Sequence, residues 1–310
     1  MKKFQKKSAG DFDSPAIVPK TEEERTAWQK ANYEWWEKNP MRYDWNEDLG
    51  KGEFTEEFYR EIDKRFFSDA GEYLPPGKIP FDSLIGFESL KNKDVLEIGV
   101  GNGSHAELLA RFSKSFTGID LTDYAAKSAG ERFKLFGLNG KILKMDAEKL
   151  DFKDGNFDFI WSWGVIHHSS DTRRILEEIY RVLKPGGEAA IMVYHRGWWN
   201  YYFAGFLRNI FFGDFLKGKS VHQTMQSATD GAIARYYRIS EWNDLARKTG
   251  FDIKCNEILG PKSDLILLPG GGVKRVISGI FPAAWSAFLI RSFRMGTFLF
   301  STLRKPVRAH

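Results

Sequence analysis

A glycine-rich stretch near the middle of the chain has the composition of a nucleotide-binding loop. Gly99, Gly101 and Gly103 alternate with other residues in "EIGVGNG", Glu97 precedes them, and Asp120 follows in "GIDLT". Glycines let the backbone approach a ligand closely, and a helix that begins after them offers free N–H groups. An acidic residue at the end of the next strand can accept hydrogen bonds from ribose hydroxyls. The stretch therefore predicts a nucleotide pocket.

Two adjacent histidines, His167 and His168, follow the apolar run "FDFIWSWGVI". Histidine can remove a proton from a reacting group at neutral pH, so either one is a candidate catalytic base. His195, after a later apolar run, is a candidate of lower rank. The alternative is that the pair caps the following helix or packs structurally. Adjacent histidines are poor joint metal ligands and no acidic cluster supports them, so we expect no metal.

Short apolar runs alternate with amphipathic helices from about residue 90 onward. This alternation predicts an α/β fold with a doubly wound, mostly parallel sheet and helices on both faces. Ligands of such sheets bind at the carboxyl ends of the strands, where the strand order reverses. The first five predicted strands lie in "DVLEIGV", "SFTGID", "GKILKMDA", "FDFIWSWGVI" and "GEAAIMVYH".

The same segments resemble the class I S-adenosylmethionine (SAM)-dependent methyltransferases. An acidic residue followed by G-x-G-x-G is the first motif of that family, whereas a dinucleotide fingerprint reads G-x-G-x-x-G. "GIDLT", "MDAEKLDF", "FDFIWSWGVIHH" and "RVLKPGGEAAI" then follow in the order of the family's segments. The motifs are most similar to those of quinone-type biosynthetic methyltransferases. The resemblance implies a Rossmann-like methyltransferase domain with SAM as its cofactor.

The resemblance also implies a role for each matching residue. Glu97 would orient the glycine loop, and Asp120 would accept hydrogen bonds from both ribose hydroxyls. Asp146 would accept a hydrogen bond from the adenine amino group, and Tyr124 could line the cofactor-side wall. The other cofactor-binding candidates are Gly99, Gly101 and Gly103 at the methionine and ribose, Leu121 and Ala147 at the adenine, and Trp163 and Gly164 at the amino-acid end.

Composition changes along the chain predict three parts. Residues 1–79 form a flexible arm, which extends to residue 20, and a helical cap. Residues 80–265 form the SAM-binding domain, which contains an aromatic insert at residues 196–235. Residues 266–310 form an amphipathic basic tail. The cap carries aromatic residues that either close over the cofactor as a lid or form core. They are Tyr33, Trp35, Trp36, Tyr43 and Trp45.

The insert and the tail combine large apolar side chains with basic ones. From residue 271 onward there are seven Lys or Arg and no Asp or Glu. The longest uncharged run there, residues 276–290, has fifteen residues and includes Pro282, so it is too short to span a bilayer. The composition suits a helix in a membrane interface, packing of the two segments on each other, or a homodimer contact. Nucleic acid is not expected, because large aliphatic residues separate the basic ones.

These observations favour an enzyme that methylates a small or lipid-like acceptor. A methyltransferase for a soluble metabolite or sugar is the first alternative, and a non-catalytic SAM-binding regulatory module is the second. A nicotinamide oxidoreductase is a more distant alternative. The basic N-terminus lacks an apolar signal segment and Cys255 is the single cysteine, so we expect a cytoplasmic protein, at the membrane surface if the tail binds lipid.

Overall fold

The computed structural model describes residues 12, 14, 17–44, 48–75, 77–268 and 272–307. Most of the predicted arm, and Trp45, lie outside these residues. Within them, eight strands form one sheet in the order β3-β2-β1-β4-β5-β8-β7, and β6 pairs with the end of β5. The strands are β1 (Asp94–Ile98), β2 (Ser115–Asp120), β3 (Lys141–Lys144), β4 (Phe157–Trp163), β5 (Leu183–His195), β6 (Tyr236–Tyr237), β7 (Asp252–Leu259) and β8 (Phe298–Arg304).

Strands β1 to β5 run parallel, and their order reverses between β1 and β4. This reversal is where a doubly wound sheet forms its ligand crevice. The α-helices are α1 (Glu22–Lys38), α2 (Glu56–Gly71), α3 (Asp82–Ile85), α4 (Ser104–Phe112), α5 (Asp123–Leu135), α6 (Thr172–Val182), α7 (Ala204–Phe211), α8 (Val221–Ala228), α9 (Ile239–Thr249), α10 (Gly272–Ile280) and α11 (Ala283–Ser292).

Alternate residues of β1 pack against helices on opposite faces of the sheet, as a strand with a two-residue period requires. Val95 belongs to a buried cluster that includes Leu109 of α4. Leu96 belongs to a second cluster that includes Ile179 of α6 and Trp242 of α9. The predicted doubly wound α/β architecture is therefore confirmed.

The helix that precedes β5, α6, ends before Pro185. Asp171 caps α6 by accepting a hydrogen bond from the Arg173 amide at 3.1 Å. The helix ends at Val182, so Leu183 and Pro185 belong to β5. A proline disfavours helical conformation at the residue before it, which explains why the helix does not reach Pro185.

The predicted boundary at 265/266, between the domain and a separate tail, is wrong because β8 lies beyond it and belongs to the domain. This strand lies between β5 and β7 and is antiparallel to both. Leu299, Phe300 and Leu303 are completely or almost completely buried, so β8 is part of the core. The pairing joins residues about a hundred positions apart along the chain, which no local pattern could indicate.

Part of the predicted flexible arm is packed. The Phe12 ring meets the Trp28 ring edge-on with centroids 5.7 Å apart, and the Arg235 guanidinium lies 5.1 Å from the Phe12 centroid. Arg235 also donates a hydrogen bond to the carbonyl oxygen of Ile17. These residues are therefore held against the insert.

A buried arginine connects the helical cap to the glycine loop. Arg132 of α5 is 1% exposed, and its guanidinium contacts both carboxylate oxygens of Asp63 in α2. Its Nε donates to Glu107 of α4 at 2.9 Å, and one terminal nitrogen donates to the Asn102 carbonyl at 3.3 Å. Burial opposes ionisation of Glu107, but Arg132, together with Arg111, keeps the pKa of this carboxyl below its ordinary value.

We predict that Arg132→Met lowers the free energy of unfolding by about 3–5 kcal/mol, because it leaves buried carboxylates without their cation. Urea unfolding of both proteins measures the difference. The control is Arg173→Met, which breaks an exposed pair with Glu177 and should cost less than about 0.5 kcal/mol. Equal losses in the two variants would contradict the role given to Arg132.

Candidate active site

A cavity of about 560 Å³ lies at the carboxyl ends of the central strands. Its wall includes Asp120 at the end of β2, Trp163 at the end of β4 and Tyr194 near the end of β5. The strand order places the β2 end on one side of β1 and the β5 end on the other. The cavity therefore extends across the point where the strand order reverses. Of the predicted lid aromatics, Trp36 and Tyr43 line it, whereas Tyr33 and Trp35 do not.

The glycines of the loop are required for different reasons. Gly99 has φ +83°, and a Cβ there would lie 2.2 Å from a Val165 methyl group. At Gly101, φ is +53°, yet a Cβ would meet no protein atom within 4 Å. Gly101 lines the cavity, so this open space is available to a ligand. Gly103 does not line the cavity, contrary to its predicted role; it lies against Arg132 and precedes α4.

Asp120 is held at the cavity wall by the loop. One carboxylate oxygen accepts from the Gly101 amide at 3.1 Å, and the other accepts from the Thr122 amide and hydroxyl at 3.0 and 2.8 Å. Burial raises the pKa of Asp120, and these donors partly offset that rise. A carboxylate has about four acceptor positions and three are occupied here, so Asp120 has room for one of the two ribose hydroxyls in its predicted role.

Glu97 lies beneath the loop in a different environment. Its Oε1 atom is 3.9 Å from His105 Nδ1, and its Oε2 atom has no hydrogen-bond partner among the described residues. Burial, with a contribution from the Asp120 charge, raises the pKa of Glu97 well above its ordinary value. Burial and Arg132 lower the pKa of His105 to about 3, so this histidine is neutral. A buried polar atom without a partner in a cavity wall suits a polar ligand group.

The adenine-side candidates lie where the N-terminal helix α1 closes on the sheet. Asp146 accepts from the Gln29 side chain of α1 and from the Glu148 amide, both at 2.9 Å. Leu121, Ala147 and Gly164 also line the cavity. The predicted cofactor residues are thus brought together, with Gly103 as the exception. The open position at Gly101, the free Glu97 oxygen and the Asp120 carboxylate fit SAM.

The structure separates the three candidate histidines. His168 lines the cavity, and its Nδ1 donates to the Ile233 carbonyl oxygen at 2.6 Å. His167 does not line the cavity, and neither of its ring nitrogens has a partner among the described residues. Burial lowers the pKa of His167 well below its ordinary value. His195 is buried against the Gly296 carbonyl and lies outside the cavity.

A tyrosine–aspartate pair in the cavity wall was not predicted from the sequence. Tyr194 donates its hydroxyl hydrogen to Asp230 at 2.9 Å, and both residues line the cavity. Burial, with the Asp230 charge, raises the pKa of Tyr194 well above its ordinary value. Successive strand residues face opposite sides, so Tyr194 reaches the cavity whereas the neighbouring His195 does not. The position of Tyr194 near the end of β5 could have indicated that it lines the site. Nothing in the sequence of the insert indicated Asp230.

Comparisons with known proteins identify similar methyltransferases. Residues 96–191 match the model of a methyltransferase domain family. A phthiotriol/phenolphthiotriol dimycocerosates methyltransferase of Mycobacterium tuberculosis is 39% identical over 100 residues, 32% of this chain and 36% of that protein. Phosphoethanolamine N-methyltransferase 2 of Caenorhabditis elegans is 31% identical over 182 residues, 57% of this chain and 37% of that protein. A sterol 24-C-methyltransferase of Neurospora crassa is 25% identical over 177 residues, 56% of this chain and 43% of that protein.

The matched segments span about a third to two fifths of the length of these curated relatives. Among solved structures, a SAM-dependent methyltransferase from Methanosarcina mazei has a TM-score of 0.50 and 20% identity, covering 72% of this chain and 97% of that chain. A SAM-dependent methyltransferase from Mesorhizobium loti has a TM-score of 0.50 and 14% identity, and the match covers 73% of this chain and 97% of that chain. At these identities the likeness concerns the fold.

We predict that Gly101→Ala weakens SAM binding about tenfold or more, because its methyl group would occupy the open space in the cavity wall; tenfold corresponds to about 1.4 kcal/mol. The left-handed backbone should also cost about 1–2 kcal/mol of folding stability. Calorimetric titration with SAM and urea unfolding measure the two effects. Gly130→Ala, where a Cβ in α5 also meets no atom within 4 Å, should leave SAM binding unchanged. Unchanged binding in both variants would contradict the role of Gly101.

The matched family model extends from within β1 to within β5, a range that includes the glycine loop, Asp120 and Asp146. These are the elements whose order and motifs the sequence identified, and the solved methyltransferases share their arrangement. Residues 96–191 therefore form a methyltransferase domain of the class I SAM-dependent type, with SAM as its cofactor.

Proposed function

We propose that this protein is an enzyme that transfers the methyl group of SAM to a lipid-like acceptor. The observation that carries the proposal is the continuity of the cavity, which joins the cofactor residues at β1 and β2 to an aromatic chamber at β4, β5 and β8. Bound SAM supplies a methyl group that its cationic sulfur already activates. The chain must therefore hold the acceptor in line with that methyl group and accept its proton.

The acceptor chamber has aromatic and apolar walls. The Trp163 ring lies parallel to the Tyr73 ring at 6.4 Å and is 6.2 Å from the Phe298 ring. Met192 completes this part of the wall. Apolar walls with a few placed polar groups favour an apolar molecule with one reactive polar group. Two of the relatives are named for a phthiotriol or a sterol acceptor, which supports the same class.

Tyr194 and Asp230 supply the polar group of this chamber. When the acceptor takes the methyl group and the sulfur of SAM keeps the electron pair of the broken sulfur–methyl bond, the proton of the acceptor's nucleophilic atom would pass to the Tyr194 oxygen while Tyr194 would pass its own proton to Asp230. The hydrogen bond between the two residues already has the direction that this transfer needs. Tyr194 stays neutral before and after the transfer, as its raised pKa favours. Asp230 is thus the proposed base and Tyr194 the relay.

His168 is the second candidate for the base. Its ring packs edge-on against Tyr194 with centroids 5.6 Å apart and against Trp36 at 5.0 Å. These contacts place it beside the relay, where it can instead orient the acceptor. His167 packs on Tyr194 at 4.0 Å but does not reach the cavity, so we assign it no chemical role.

The first test incubates the purified protein with methyl-labelled SAM and with two kinds of cell extract, a lipid extract and an aqueous metabolite extract, and then separates the organic and aqueous phases. We expect protein-dependent label in the organic phase. Label confined to the aqueous phase would show a soluble metabolite or sugar as acceptor and overturn the lipid assignment. SAM binding without label in either phase, with extracts of both kinds, would instead indicate a non-catalytic binding module.

The second test assigns the base. Asp230→Asn and Tyr194→Phe keep the side-chain volumes and should each lower kcat by about 10²–10⁴-fold, the usual contribution of a placed base, with SAM affinity retained. His168→Gln should lower kcat less than tenfold. His167→Phe is the matched control and should keep kcat, because its ring nitrogens make no hydrogen bonds among the described residues. A large loss in His168→Gln with activity kept in Asp230→Asn would identify His168 as the base.

A further inference from the structure

Two helical segments outside the methyltransferase core expose large apolar side chains to solvent. Residues 198–216 and 273–293, here called the apolar face, contain most of the exposed large apolar residues of the described chain. On α10, Val273, Val276 and Ile280 recur at helical spacing and are 69%, 63% and 77% exposed. Phe203, Phe206 and Ile210 repeat the pattern along α7. Contiguous exposed apolar surface on this scale indicates a binding surface.

The two segments lie on the same side of the molecule because side chains tie them together. Trp198 Nε1 donates to the Phe293 carbonyl at 2.9 Å, and Trp199 Nε1 donates to the Asp264 carbonyl at 2.9 Å. Asn200 also donates to the Met295 carbonyl. The apolar face is therefore one surface made from two parts of the chain.

The charges around the apolar face have one sign. Arg208, Lys217, Arg291 and Arg294 have exposed side chains. The acidic residues of residues 197–229 and 261–296 are Asp214 and Asp264, and both are engaged internally. Asp214 binds Lys219 at 2.9 Å and Thr224 at 3.0 Å, and Asp264 accepts from the amide and hydroxyl of Thr297. The exposed surface thus combines apolar side chains with cations.

The apolar face also adjoins the acceptor chamber. The turn Lys262–Leu265 contacts both α10 and α11. Pro261 and Ser263 line the cavity, and the carbonyl of Asp264 holds Trp199. A molecule leaving the chamber past this turn would meet the apolar face.

We propose that the apolar face docks on the surface of an anionic lipid bilayer. α10 and α11 have nine and ten residues, and no helix of the described residues is long and apolar enough to span a membrane. Short amphipathic helices with basic flanks lie in the bilayer interface, where apolar residues enter the acyl boundary and cations meet lipid phosphates. The link between docking and the acceptor rests on the proposed function; the docking itself does not.

A second copy of the chain fits this surface less well. A twofold contact would bring the same patch of each copy together. Arg208, Arg291 and Arg294 of both copies would then share one interface, with no exposed carboxylate on the face to pair with them. Lipid phosphates supply the negative charge that a second copy lacks.

The test is flotation of the full-length protein with vesicles of phosphatidylcholine and phosphatidylglycerol in equal amounts, and with phosphatidylcholine alone. We expect flotation with the anionic vesicles and at least about tenfold weaker binding to the neutral ones. Phe206→Asp and Ile280→Asp should each weaken anionic-vesicle binding about tenfold or more, because each removes a large side chain from the acyl boundary. Neither residue lines the cavity, so SAM binding should be retained.

The matched control is Leu135→Asp, which replaces an exposed leucine, 47% accessible, at the end of α5. Its vesicle binding should equal that of the unaltered protein. Failure of the unaltered protein to float with anionic vesicles would overturn the proposal, as would equal binding to neutral vesicles or equal losses in the control. Sedimentation velocity measures the oligomeric state. If the protein does not bind vesicles but forms a dimer that Phe206→Asp dissociates, the apolar face is a dimer interface instead. Each readout is independent of methyl transfer, so failure of docking and failure of the proposed function are distinguishable.

Discussion

Arg132 carries a full positive charge at a position that is 1% exposed, and removing such a charge from water costs several kcal/mol. The cost is offset because Asp63 and Glu107 supply carboxylates and Asn102 supplies a carbonyl oxygen at the same point. These partners come from α2, α4 and the glycine loop, so the ion pair can be complete only when the cap, the loop and α5 have their native positions. The position of the cofactor site therefore depends on a cluster whose charged residues, Arg132, Asp63 and Glu107, do not line the cavity, whereas their partner Asn102 does.

The cap is joined to the site by polar contacts as well. Gln29 of α1 donates to Asp146 and accepts from the Ser170 amide at 3.3 Å, so one side chain connects the adenine side of the cavity to the turn that follows the histidines. Gln29 and the Glu148 amide both donate to Oδ1 of Asp146, which leaves Oδ2 to accept from an adenine amino group. Helix α1 thus fixes the orientation of the carboxylate that would meet the adenine.

Much of the fold and the cofactor side of the site could be predicted because their signals are local. The glycine loop, Asp120 and the alternation of strands and helices each occupy a few adjacent residues. Arg132 gave no such signal, since "GERFKLFG" has the composition of an exposed helix and its partners are remote. The sequence favours His195 over Tyr194 as a candidate because it does not show which side of the sheet each strand residue faces. A shift of one residue in the strand register moves every side chain to the other side. β8 was placed in the tail because its partners are distant in sequence.

The pairing of Leu259 with Phe298 gives the second part of the apolar face, residues 273–293, an unusual place in the chain topology. β7 and β8 are antiparallel neighbours, so residues 260–297 are formally the loop of a β-hairpin. A hairpin loop can gain or lose length without altering the pairing of the strands that hold it, and the entropic cost grows slowly with its length. Residues 273–293 can therefore change in length while the sheet is kept. The first part of the apolar face, residues 198–216, lies between β5 and β6 and would have to change separately.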